Sequence, residues 1–128
     1  MIAMCRHNQG EDLQSSNIGL FFTRDTAFDV RVGKQYRVFG MGVFRNGLVV
    51  LVRDETGKPN WLPVDLFEIA PQPLPAHWQF ALFAPAAAGG WRARWGYDQL
   101  LSGDHIDRLI ERDPAALNIF EQEASHVD

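Results

Sequence analysis

The chain has a single cysteine, Cys5, so it cannot close an internal disulfide. It has no apolar run approaching the roughly 20 residues of a membrane-spanning helix. It has no excess of positive charge. Twelve basic residues against sixteen acidic ones leave a formal charge of -4, the wrong sign for nonspecific binding to nucleic acid or to an anionic membrane surface. No Gly-x-Ser-x-Gly elbow and no Gly-x-x-x-x-Gly-Lys-Ser/Thr phosphate loop occurs, and Val32-Gly33-Lys34 is one glycine beside one lysine. No repeat stands out. A basic segment joined to an apolar one is missing near the N-terminus, so no signal peptide is expected. A lone thiol without such a signal fits a reducing cytoplasm.

What is present describes an ordinary globular domain. Hydrophobic residues make up 46% and charged residues 22% of 128 positions. A chain of this length buries roughly two thirds of its unfolded surface and needs neither metal nor disulfide to fold. With no catalytic motif, the expectation is a non-enzymatic protein with no cofactor, no metal centre and no catalytic residue. Cys5 and His7 do not change this. They are half a zinc site at most, with no Cys-x-x-Cys or His-x-x-x-His partner, and two neighbours on a tail are not a preorganised nucleophile and base.

Residues 1–17 are mostly polar and predict a flexible tail, with one globular domain over 18–128. Within it, Ile18-Gly19-Leu20-Phe21-Phe22 reads as a first strand or a plug under the core. Residues 36–45 and 48–53 are strand-like and flank Asn46-Gly47, a strong hairpin signal because a type I′ turn needs positive φ at both central residues. That turn sets Arg45 opposite Leu48, Val43 opposite Val50 and Met41 opposite Val52. One side then carries Phe39, Met41, Val43, Leu48, Val50 and Val52. The other carries Val38, Gly40, Gly42, Phe44, Val49 and Leu51. Both sides are apolar and both should be covered. Gly40 and Gly42 leave room for an aromatic ring or permit strong coiling.

A polar turn at 54–59 leads to Trp61, and Pro63 marks an edge or a break. Pro71, Pro73 and Pro75 alternate in an extended connector over 70–76. Beyond it, 77–128 should hold a second hairpin and short helices. Trp91-Arg92-Ala93-Arg94-Trp95 alternates strictly, which predicts both tryptophans on one face and both arginines on the other. The C-terminal third turns helical: 97–102 closed by Gly103, a second helix capped by Asp104, and a third opened by Asp113-Pro114. The predicted class is α+β, a strongly bent antiparallel sheet or small barrel with two or three short C-terminal helices.

Two resemblances accompany this reading. Tyr36-Arg37-Val38, the tight hairpin, Asp54-Glu55-Thr56-Gly57 and the stretch from Trp61-Leu62-Pro63-Val64 to Ile69 resemble a Src-homology-three-like small barrel over 33–69. The resemblance implies a short helical turn before a final strand. Trp95-Gly96-Tyr97, Asp113-Pro114 and the general layout resemble compact bacterial immunity proteins of polymorphic toxin systems. That resemblance implies a protein that binds and blocks a toxin domain.

The candidate residues follow from chemistry. Tryptophan and arginine are enriched at binding hot spots. Trp61 after its turn, with Tyr36, Trp95 and Tyr97, is expected to line a protein-binding groove. Arg92 and Arg94 would offer two guanidinium groups to a carboxylate or phosphate on a partner. The expected function is protein interaction, with immunity-type inhibition of a toxin as the form the second resemblance implies, and with no nucleic-acid or membrane partner. A self-associating subunit, such as a homodimer, is one alternative, since one side of the hairpin could be the interface. A small-molecule binder or enzyme using His105 with Asp107 is the other.

Overall fold

The computed structural model describes residues 1–13, 23–84 and 89–126. Ile18 to Phe22, the expected first strand or plug, lies outside the described residues. Seven strands form one antiparallel sheet: β1 Ile2–Cys5, β2 Gln35–Phe44, β3 Gly47–Arg53, β4 Pro59–Pro63, β5 Phe67–Glu68, β6 Gln79–Leu82 and β7 Trp91–Gly96. Two helices follow, α1 His105–Ile110 and α2 Pro114–Ala124. The fold is therefore α+β. The sheet stays open, because β4 and β5 lie at opposite ends of its path and do not pair with each other. No helix among the described residues is long and apolar enough to cross a membrane.

β2 is the spine. It pairs with β3 along one side, while its other side is shared: β1 takes residues 35–37 and β7 takes 40–44. The N-terminal segment is thus not a free tail. Ile2–Cys5 lies between β2 and β5, and Ala3 and Cys5 are fully buried. Polar neighbours hid four residues whose alternate members point into the core. Gln72 of the proline connector exchanges two hydrogen bonds with the backbone of Ile2, at 2.8 and 2.9 Å. The strands on either side of that connector share one sheet.

The hairpin forms two residues away from the expected register. Phe44 pairs with Gly47 and Val43 with Leu48, so Arg45 and Asn46 make the loop, with φ positive at Arg45. A slip of two preserves the faces, because side chains alternate with period two. What exchanges residues between faces is a bulge at Phe39, between Val38 and Gly40. Phe39 joins Val49 and Leu51 on the helix side, and Val38 joins Val50 and Val52 on the other. A second irregularity lies opposite Arg92: Val43 pairs with Ala93, but Phe44 pairs with Trp91. The strict alternation predicted for 91–95 therefore fails. Trp91 turns to the helix side with Arg94, and Trp95 stays with Ala93 on the other.

Each face has its own core. On the helix side, Phe39, Leu51, Trp61, Trp91, Leu100, Leu109 and Phe120 meet. Gly42 makes this possible, since a Cβ there would lie 2.5 Å from the Trp91 ring. The expected room for an aromatic ring is filled by Trp91. On the opposite side, Ala3, Cys5, Tyr36, Val38, Val50, Val52 and Leu66 form the second core.

The C-terminal elements are close to expectation. Residues 98–100 form a 3-10 turn rather than a full helix. Asp104 places no side-chain cap on α1 and instead pairs with Arg108 at 2.9 Å. Asp113 caps α2 by accepting from the Ala116 N–H, with Pro114 at the first helical position.

Candidate functional site

The six residues singled out from the sequence do not form one surface. Tyr36 is buried in the second core, where it accepts from the Arg31 N–H and donates to Glu55 Oε1 at 2.7 Å. Burial raises its pKa to about 12. Glu55 is held below its usual value by hydrogen bonds from Lys34 and Tyr36. Tyr97 is buried on the helix side, 2.8 Å from His105 Nε2. Burial moves the pair apart, raising the phenol pKa and lowering the imidazole pKa. His105 lines neither cavity described below, and Asp107 is exposed beside it. His105 and Tyr97 thus form a neutral hydrogen-bonded strut between 3-10 turn and helix.

Arg94 is 5% exposed rather than offered to solvent. Its guanidinium lies against the Phe83 and Trp91 rings at 4.6 and 4.7 Å and donates to the Leu100 carbonyl at 2.9 Å. Burial lowers its pKa, and the charge of Asp107 partly offsets that. Arg92, at the irregular pairing, is exposed. The two arginines therefore do not act as a pair.

Trp61 is 7% exposed and packs edge-on to Trp91 at 5.0 Å. Its indole Nε1 is buried and has no hydrogen-bond partner among the described residues. It forms part of the wall of a cavity of about 430 Å³ between the β2–β3 hairpin, β4 and α1. Phe44, Val49, Leu51 and Leu109 supply most of the remaining apolar wall, and Arg45, Arg112 and Asn60 supply the polar groups. Arg45 and Arg112 have φ of +53 and +63, the two non-glycine residues with positive φ among those described. Such backbone costs on the order of 1 kcal/mol or more for a side chain with a Cβ. Trp91, Phe44 and Ile110 separate this cavity from a second one of about 610 Å³, which Arg94 and Asp107 line.

Of the six, Arg92 and Trp95 reach the surface, and Trp95 does so on the face away from the helices. Its ring lies 4.8 Å from Phe80. The pairing registers set side by side on that face the rows Leu48–Val43–Ala93–Leu82 and Leu62–Val50–Met41–Trp95–Phe80. No charged residue stands in either row. Exposure rises toward β6, to 52% at Phe80 and 75% at Leu82, with Leu48 at 37% on the far side. Among the described residues β6 pairs only with β7, and no described strand lies beside its other edge. Sequence reasoning missed Phe80 and Leu82, although they alternate with Gln79 and Ala81 as strand residues on one face do.

No protein-family model, no curated protein and no solved structure matches the chain.

Proposed function

We propose that the chain is a non-enzymatic protein-interaction domain, and that its contact surface is the apolar face and free edge formed by β6 and β7. One observation carries this reading: two uncharged rows of side chains cross four and five strands and end in Leu82 and Phe80, both largely exposed. Exposed apolar patches of this kind mark interaction sites in soluble domains. The edge supports it independently. Gln79, Phe80, Ala81 and Leu82 contain no charge and no proline, the usual devices that keep an edge strand from pairing. A partner strand added to β6 would gain main-chain hydrogen bonds, and Phe80, Leu82 and Trp95 would supply specificity. Blocking of a toxin domain, as an immunity-type inhibitor does, is the form of interaction proposed.

The contact proposed here is apolar, so its affinity should change little with salt, unlike an arginine-led one. The test is capture from lysate of the source organism by tagged wild-type chain and by Leu82→Glu and Phe80→Glu variants. A stoichiometric partner that survives high salt and is lost with either variant supports the reading. Equal capture by all three overturns it. Light scattering on the same samples gives 14.5 kDa for a monomer. Twice that mass, halved by Leu82→Glu, would make the surface a self-association interface instead.

A further inference from the structure

The cavity beside Trp61 lies on the opposite side of the sheet from the proposed contact face, and its chemistry is different. Its wall is mostly aromatic and aliphatic, its volume of about 430 Å³ is within the range of small-molecule sites, and its two charged lining side chains are of one sign. The first is Arg45, whose guanidinium rests on the Phe44 ring at 5.3 Å and has no carboxylate partner among the described residues. The second is Arg112, which donates to the Pro59 carbonyl across the cavity wall and retains further N–H donors. No acidic side chain lines this cavity, in a chain whose net charge is -4.

We propose that this cavity binds a small organic carboxylate with a flat apolar body. The body lies against Trp61, Trp91 and Phe44. The carboxylate meets Arg45 and Arg112, whose planar forks suit a carboxylate's two oxygens. A cation would face two guanidinium groups with no counter-charge, and a neutral hydrocarbon would leave both guanidinium groups without an anion. Hydrophobic contact with three rings supplies affinity, and the arginines supply the choice of charge.

The test is an NMR titration of the ¹⁵N-labelled chain with 3-phenylpropanoate, with its neutral amide 3-phenylpropanamide as control. Four tryptophans give four indole N–H signals, and Trp61→Phe assigns one of them. The proposal expects a saturable shift of the Trp61 signal by the acid, with the amide at least about tenfold weaker, the size of one charge-assisted hydrogen bond. Arg45→Gln, a change in the exposed hairpin loop, should weaken the acid about tenfold and leave the amide unchanged. No saturable Trp61 shift at millimolar acid would overturn the proposal. So would equal binding of acid and amide, which would leave an apolar cavity without anion selection. Leu82→Glu should not alter this titration, so failure here and failure of the contact face are separable.

Discussion

On the face away from the helices, the two halves of β2 carry similar apolar residues and end in different surroundings. Around residues 35–38 that face is closed, while Gln35 on the other face is exposed. Val38 and Tyr36 pack with Ala3, Cys5, Val30 and Leu66 in the second core, and Phe39 at the bend packs against Phe120 of α2. Around residues 40–44, one face is closed by Trp91, Leu100 and α1, and the other shows Met41, Val43 and their neighbours toward Phe80 and Leu82. On that face the difference does not come from a lack of apolar side chains, since Tyr36 and Val38 stand in one half and Met41 and Val43 in the other. It comes from which strand sits beside β2. Where β1 sits, the chain continues through segments that fold back over the sheet. Where β7 sits, the far neighbour is the edge strand β6, and the two uncharged rows run outward to it.

The strongest way to break the comparison is to remove cover from the closed half. Phe120 is fully buried, packs edge-on to Phe39 at 4.8 Å and has the Arg53 guanidinium above its ring. Phe120→Ala should cost about 3–5 kcal/mol. Urea unfolding should show this as a lower midpoint at unchanged slope. A cost below about 1 kcal/mol would mean that α2 does not close this half.

A smaller effect probes the helical cover of the other half. His105 of α1 is buried, and burial holds its pKa below the usual 6.5. In the unfolded chain the imidazole takes its proton as pH falls through about 6.5, while the folded chain resists it. The unfolded state then binds more protons, so stability is full above that pH and declines as pH falls toward the folded value. Thermal melts between pH 8 and pH 5 should show the decline. His105→Asn should flatten it, at the cost of the Tyr97 contact. A wild-type melting point that rises on acidification over that range would contradict the assignment.

Much of this was legible and some was not, for physical reasons. The hairpin, the alternation along β3 and the Asp113-Pro114 start of α2 are local signals, and the structure contains all three elements. The bulge at Phe39 and the irregularity opposite Arg92 are decided by the strands alongside, so no local pattern announces them. They are why Phe39 and Val38 exchange faces and why Trp91 parts from Trp95. The cavity shares this non-locality, since Phe44, Trp61 and the Leu109–Arg112 stretch come from three separate segments. Phe80 and Leu82 alternate visibly, but alternation names a face without saying whether anything covers it.

The finest test leaves the fold untouched. Leu82 and Val52 point to the same side of the sheet, one in the uncovered half and one in the covered half. Leu82 is 75% exposed and Val52 is fully buried. Glutamate at Leu82 keeps its charge in water and gives up little packing, so Leu82→Glu should change stability by no more than about 0.5 kcal/mol. Glutamate at Val52 would bury an unpaired carboxylate among Val38, Val50 and Leu62, which the chain can accommodate only by protonating it or by opening the core. Urea midpoints of the two variants should therefore lie far apart, with Leu82→Glu beside wild type. If Leu82→Glu is strongly destabilised as well, then something in the chain already covers that face, and the contact surface proposed for β6 and β7 is internal packing.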